Sequence, residues 1–434
     1  MPGTTPPGRE PIARADAARL FVGRTLRMVA YGGLAIVLVV YLDRIGLAPV
    51  TIGILLTLTL LGDTAISLWL TTHADRIGRR RVLVAGSLLM AGAALVFAVT
   101  DLTPLLLLAA TIGVMSPSGK EVGPFLAVEQ ASLTRLVPDE RRTSVFAWYN
   151  LVGSLAVAVG ALLAGLAVQQ LLGLGFAEVD AERAVVVAYG VVGLLMALVF
   201  LGLSDGIEVP RPGSSGVATR LGLHRSRRTV LQLSGLFAID AFAGGFVMDS
   251  LVAFWLVTRF DLDPAVVGAV FFATNLLAAV SALGAAWIAR RVGLIRTMVY
   301  THLPSNVLLI LVPVMPVAPL AVLMLLARAS ISQMDVPTRQ SYTMAVVAPD
   351  ERSAAAGITG IARTTGQAVA PLAATPLIAS AGLAGLPFLL AGSLKIVYDL
   401  ALWGLFRARP APEEVQGGRG DRTGSDRSRS DRAG

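Results

Sequence analysis

Apolar and polar positions alternate along this chain in long blocks. Apolar blocks occupy 24–47, 50–72, 82–100, 104–130, 144–170, 184–204, 230–257, 265–289, 297–316, 318–347, 353–380 and 385–406. Each is close to or above the roughly 20 residues that a helix needs to cross a hydrocarbon layer. The longer ones can tilt or run past the surface. The pattern predicts twelve membrane-spanning helices. The longest connection, 205–229, carries Pro210, Pro212, Gly213, Ser214, Ser215 and Gly216 and splits the spans into two sets of six, 24–204 and 230–406. Residues 1–23 have no apolar core before a small-residue cleavage site, so they read as a cytoplasmic tail and not as a secretory signal. Residues 407–434 are Arg, Asp, Gly and Ser with hardly an apolar side chain, and are expected to be a disordered cytoplasmic tail.

Composition agrees with the blocks. Of 434 residues, 55% are apolar and 15% charged, and the mean hydropathy is +0.72. A soluble domain carries about 25% charge, so a soluble enzyme with one buried core is excluded. The absence of cysteine removes disulfide frameworks, thiolate metal sites and thiol nucleophiles. The net charge of +8 is almost wholly arginine, with lysine only at 120 and 395. Counted from a cytoplasmic N-terminus, the inner connections hold Arg76, Arg79, Arg80 and Arg81, then Arg135, Arg141 and Arg142. Arg211, Arg220, Arg225, Arg227 and Arg228 follow, then Arg290, Arg291, Arg296 and Arg352. The outer connections hold Arg44, Arg183 and Arg259. This bias expects both termini in the cytoplasm and the chain in the inner (plasma) membrane. It reads as topology and contact with membrane lipid, not as nucleic-acid binding.

The two halves repeat. Val137-Pro138-Asp139-Glu140-Arg141-Arg142 echoes Ala348-Pro349-Asp350-Glu351-Arg352-Ser353, at an offset of 211 residues from Pro138 to Pro349. Ala74-Asp75-Arg76-Ile77-Gly78-Arg79-Arg80 is echoed by Ala289-Arg290-Arg291-Val292-Gly293-Leu294-Ile295-Arg296, at 215 residues from Gly78 to Gly293. Near-constant offsets imply a duplicated six-helix unit, an architecture that puts a site between the halves.

On these residues the chain resembles the major facilitator superfamily (MFS), whose loop between spans 2 and 3 runs approximately Gly-x-Leu-Ala-Asp-Arg-x-Gly-Arg-Arg. Ala74 to Arg80 match it residue for residue, with Thr71 and His73 in place of its usual Gly and Leu. The resemblance implies an all-α membrane protein of twelve transmembrane helices in two pseudo-symmetric six-helix bundles. It also implies a conformational latch at Asp75, Arg76, Gly78, Arg79 and Arg80, with Glu129 as a candidate partner for Arg76 or Arg80.

Ionisable residues inside spans are costly and commonly face a cavity or a partner. They are Asp63 in span 2, Lys120, Glu121 and Glu129 in span 4, and Asp240 and Asp249 in span 7. Span 10 has Arg328, Asp335 and Arg339, span 11 Arg363, and span 12 Lys395 and Asp399. At about 100° per residue, Arg328, Asp335 and Arg339 share one face of span 10, which Pro337 interrupts. Lys395 and Asp399, four apart, can neutralise each other. Ser116-Pro117-Ser118-Gly119-Lys120-Glu121-Val122-Gly123-Pro124 predicts a kinked or opened span 4, and Ala243-Gly244-Gly245 a bend in span 7. Gly153, Gly160 and Gly165 in span 5 suit helix packing.

These residues predict a secondary transporter that works by alternating access. Tyr31, Lys120, Glu121, Asp240, Asp335 and Arg339 are its candidate substrate-binding residues, and Asp63, Glu121 and Asp240 its candidate proton carriers. Proton-coupled efflux of a small organic compound or drug leads. Movement of an anionic metabolite without proton coupling is the alternative, since Lys120, Arg328, Arg339 and Arg363 could neutralise one. His73, His224 and His302 form no metal-spaced cluster, and no nucleophile stands beside a base. No cofactor, metal or enzymatic activity is therefore expected, and a membrane-embedded enzyme or non-transporting sensor is remote. The expected partners are a small-molecule substrate, protons and lipid, with the chain acting as a monomer.

Overall fold

The computed structural model describes residues 9–121, 123–208 and 225–407. The loop 209–224 and the tail 408–434, to which a linker and a disordered segment are assigned from sequence, lie outside the described residues. Among the described residues every regular element is helical. Span 1 is α1 (Arg9–Arg44), span 2 α2 (Pro49–Ile77) and span 3 α3 (Arg79–Val99). Span 4 is two pieces, α4 (Thr103–Ile112) and α5 (Phe125–Leu136). Spans 5 and 6 are α6 (Asp139–Gly173) and α7 (Glu178–Leu201). Span 7 is α8 (Arg227–Gly245) and α9 (Asp249–Phe260); spans 8 and 9 are α10 (Pro264–Val292) and α11 (Leu294–Leu311). Span 10 is α12 (Ala318–Ser332) and α13 (Asp335–Ala345), span 11 α14 (Arg352–Val369) and α15 (Pro371–Ala379), and span 12 α16 (Leu386–Phe406).

Ten of these rods are long and apolar enough to cross a membrane. The other two predicted crossings, 104–130 and 353–380, depart from a simple apolar rod for identifiable reasons. In span 4 the Pro and Gly run leaves 113–121 and 123–124 irregular, with Gly119 and Gly123 at φ of +63° and +80°. Span 11 is interrupted at Ala370, where Pro371 begins a new helix. Proline stands in the first turn of α2, α4, α10, α12, α15 and α16, where its missing N–H is one that a helix start leaves unbonded anyway. Span 10 breaks just before α13, because Pro337 falls in the first turn of that helix and cannot donate back to Gln333. The repeat seen in sequence is structural: Gly78 and Gly293 both hold positive φ, +104° and +92°, between a long helix and the next.

Within each half the helices pack as a bundle: α1 lies on α6 and α7, α3 on α7, α8 on α14 and α16, and α11 on α16 and α12. Between halves, α6 meets α10, α2 meets α14 and α15, and the end of α1 meets α9. Small residues allow the closest crossings. A Cβ on Gly268 would stand 2.8 Å from the Ala161 carbonyl oxygen, and one on Gly53 2.7 Å from the Pro371 carbonyl oxygen. These junctions involve the C-terminal parts of α1, α6 and α9 and the N-terminal parts of α2 and α10, so the bundles are joined at the end that carries residues 45–48 and 261–263. Toward the opposite end α2 opens out: Leu68 and Trp69 are exposed, as are Thr71 and Thr72.

Candidate functional site

The opened stretch of span 4 sits at the centre of the molecule. Irregular backbone at membrane depth must satisfy its polar groups within the protein, and here it does. The Tyr189 hydroxyl donates to the Val114 carbonyl at 2.7 Å, Ser116 Oγ to the Lys120 carbonyl at 2.7 Å, and the Ser250 N–H of span 7 to the Pro117 carbonyl at 3.2 Å. The Gly123 N–H donates to Asp63 Oδ1 at 2.6 Å. Asp63 also accepts from Ser67 Oγ at 3.4 Å, and no ion pair of Asp63 is recorded among the described residues.

This backbone sends Lys120 and Glu121 opposite ways. Glu121 turns into its own half, where Arg24 Nη1 donates to it at 2.8 Å and Arg27 Nε at 2.9 Å. Arg27 is wholly buried and also donates through both terminal nitrogens to Glu129, 2.7 Å each. The Tyr149 hydroxyl completes the Glu129 carboxylate. Phe125 lies 4.5 Å under the Arg27 guanidinium and Tyr149 4.2 Å under that of Arg24. Gly153 of span 5 makes room for this cluster, since a Cβ there would meet Arg24 Nε at 2.5 Å. The expectation that Glu129 pairs with Arg76 or Arg80 gives way to Arg27. Arg24 and Arg27 were not singled out from sequence; the sign they leave there is two arginines three apart at the mouth of an apolar block.

Lys120 faces the C-terminal half instead. It is exposed at the middle of the molecule, within electrostatic reach of Asp249, Arg363, Lys395 and Arg328. The break after Gly245 brings Asp249 there, with its Oδ2 3.5 Å from a Cβ built on Gly119. Beyond it Asp240 accepts from Lys395 at 2.5 Å and from Arg339 at 3.0 Å, and lies 3.7 Å from Arg363. Asp335 adds a second carboxylate to Arg339 at 3.1 Å. Three of the predicted residues, Asp240, Asp335 and Arg339, thus form one cluster. Lys395 pairs with Asp240, not with Asp399 as its spacing suggested. Asp399 is engaged by His302 at 2.8 Å and Asn306 at 2.9 Å, and His302 Nε2 is 3.9 Å from Asp240. The four-residue spacing of His302 and Asn306 on span 9 was the unread signal. Tyr31 is buried and stacked on Tyr189 at 6.1 Å, away from the exposed surface.

At the 2–3 loop, Arg79 Nε pairs with Asp75 at 2.9 Å, and Gly78 forms the turn. The Arg79 and Arg80 N–H groups, at the start of α3, donate to the Glu208 carboxylate at 2.7 and 3.0 Å. Arg79 also reaches the Ala131 carbonyl and Arg80 the Leu203 carbonyl, while Arg76 is exposed. Asp75, Ala131 and Leu203 belong to the N-terminal half, and Glu208 to the connection that follows it. A small cavity of about 150 Å³ at the joined end is bordered by Arg44, Glu178 and Glu182, with Arg44 bridging the two glutamates.

A sequence profile of the Major Facilitator Superfamily matches residues 20–371. The chain belongs to this superfamily. An uncharacterized membrane protein of Saccharomyces cerevisiae, YJR124C, is 30% identical over 424 residues, which cover 91% of this chain and 94% of the yeast protein. Among solved structures, a variant of the nucleoside transporter NupG superposes with a TM-score of 0.74 at 12% identity, over 90% of this chain and 99% of that one. A bacterial homolog of the human lysosomal transporter Spinster, inward-facing and occupied, gives 0.70 at 16%, over 92% and 97%. At such identities the likeness is one of fold. The chain is therefore a membrane protein with the superfamily's transporter fold. The paired turns at Gly78 and Gly293 are this superfamily member's own record of the duplication.

Proposed function

We propose that the protein is a secondary active transporter which carries a small organic solute between two six-helix bundles by alternating access. The observation that supports this best is the position of Lys120, an exposed cation in the opened middle of span 4, between bundles joined at the end that carries residues 45–48 and 261–263. A charge at that depth is tolerable only where water or a solute reaches it. The binding residues of this reading are Lys120, Asp240, Asp335 and Arg339, with Arg363 and Arg328 beside them. Glu121 and Tyr31 shape the site from behind. Residues 75–80 form the latch, holding the 205–208 segment in this state and free to engage the other bundle in the opposite one. The Arg-rich connections support a cytoplasmic-membrane location with both termini inside.

Transport is read as proton-coupled, and of the three candidate carriers Asp63 is favoured. Glu121 and Asp240 are held by cations, whereas a proton on Asp63 strands no cation. A secondary transporter runs in whichever direction its gradients set, so export is the direction when the outside is more acidic and solute is exchanged for protons. The test uses proteoliposomes loaded with a pH-sensitive dye and challenged with a panel of organic solutes. Wild type should couple solute flux to interior pH, and Asp63→Asn should lose that coupling while keeping solute exchange at equal pH. Flux in wild type that ignores the pH gradient removes proton coupling; coupled flux in the variant removes Asp63.

A further inference from the structure

The cations of the interior outnumber their carboxylates, and the excess lies on the exposed side. Asp240 faces Lys395, Arg339 and Arg363, and Asp335 pairs with Arg339 and lies within electrostatic reach of Arg363. That cluster has three cations and two carboxylates. Next to it Lys120 and Arg328 face Asp249, and Arg328 is also within electrostatic reach of Asp240 and Asp335. The other acids are committed elsewhere: Asp399 to His302 and Asn306, Asp63 to the Gly123 N–H, Glu121 and Glu129 to Arg24 and Arg27. Five cations therefore stand against three carboxylates, or four with Asp399, so positive charge stays in surplus.

The surplus has open donors. Among the described residues, the buried Arg328 Nε has no hydrogen-bond partner, and the buried Arg363 Nη1 has only Asp240 Oδ2, at 3.7 Å and beyond hydrogen-bond distance, although a buried donor left unmade is expensive. The Arg363 side chain is 35% exposed, Arg328 is half-buried and Lys120 is exposed, so all three side chains border accessible space. They come from both bundles: Lys120 from span 4, Arg328 from span 10 and Arg363 from span 11. Guanidinium groups present planar forks of donors that match an oxyanion, and the ammonium of Lys120 adds a point charge.

We infer that the transported solute carries an oxyanion group, a carboxylate, phosphate or sulfonate, which Lys120, Arg328 and Arg363 bind between the two bundles. This rests on the transporter reading and names its substrate class. Binding from both bundles also gives the anion a different energy in the two conformations, as a ligand must have in order to shift them.

The test is thermal unfolding of the purified full chain in detergent with succinate, benzoate, inorganic phosphate, octyl phosphate, tetraethylammonium and glycerol. At least one oxyanion should raise the melting temperature in a saturable way, and tetraethylammonium and glycerol should not. Preference for octyl over inorganic phosphate assigns an amphipathic anion, and the reverse a free one. Arg363→Gln and Lys120→Gln should each raise the apparent dissociation constant at least tenfold. Lys120→Gln changes an exposed side chain, and unchanged melting without ligand reports its folding. Stabilisation by the cation alone, no stabilisation by any oxyanion, or an anion effect unchanged in both variants overturns the assignment. Flux of the stabilising oxyanion is then measured in proteoliposomes. Binding without flux keeps the anion site and removes the transporter reading, while flux of only the non-anionic solutes removes the anion site and keeps the transporter.

Discussion

The two halves handle buried charge differently. In the N-terminal half Arg24 and Arg27 face Glu121 and Glu129, two cations and two carboxylates, with Arg27 and Glu129 joined through both oxygens and wholly buried. In the C-terminal half one aspartate, Asp240, serves three cations, and the least buried of them, Arg363, keeps an unmade donor. A balanced, enclosed cluster has nothing left to offer a ligand, so it can only fix the positions of spans 1, 4 and 5. An unbalanced cluster at an accessible surface is incomplete until something negative joins it. The same residue types therefore build a balanced, enclosed cluster in one half and an unbalanced, partly accessible one in the other, and charge balance together with access separates the two.

The comparison breaks most sharply at Glu129. Glu129→Leu leaves the Arg27 guanidinium buried without its main carboxylate, which should cost about 3–5 kcal/mol and largely remove folded protein. Combined with Arg27→Met, most of that loss should return, because a well-packed apolar pair can replace a buried ion pair. Monodisperse yield by size exclusion and melting temperature check both. A single variant as stable as wild type would mean that the cluster is no joint.

A smaller effect is expected at Asp240. Asp240→Asn weakens charged hydrogen bonds worth about 1.5–3 kcal/mol, but Asp335 still serves Arg339 and Arg363 is partly solvated. The loss in melting temperature should shrink when phosphate is added, since removing a carboxylate enlarges the cationic surplus. Phosphate should do nothing for Glu129→Leu. Equal rescue of both variants would erase the distinction between the halves.

The smallest effect concerns the latch. Glu208→Gln removes the charge at the start of α3 and replaces one of its two accepting oxygens by a donor, for a loss of about 0.5–1.5 kcal/mol. If Glu208 holds the 75–80 loop in its own half, the variant should also bring the 2–3 loop closer to the C-terminal bundle. Paired spin labels near residues 76 and 290 measure that distance, and an unchanged distribution would leave Glu208 a helix cap only.

Much of the fold was legible along the chain. Among the described residues, ten of the twelve apolar blocks are helices of spanning length, and the repeated turn appears at Gly78 and Gly293. The breaks in spans 4, 7 and 10 were announced by Gly119 and Gly123, by Gly244-Gly245 and by Pro337. The site was legible as a list of charges and not as a set of pairs. Helical spacing joined Lys395 to Asp399, but Asp240 of span 7 takes the lysine and span 9 takes the aspartate. Glu129 was matched with loop arginines, while Arg27 reaches it from span 1.

The sequence by itself determined where helices start, stop and open, because burial in lipid and the limits of Gly and Pro act within a few neighbouring residues. Only the tertiary structure decided which charge meets which. Arg27 and Glu129 are 102 residues apart, and Asp240 and Lys395 are 155 apart. Their contact depends on how spans cross and rotate against one another, and ion pairing falls off within a few ångströms. The surplus of positive charge at the centre is thus a property of the packed bundles, written in the sequence only as residues that had still to find their partners.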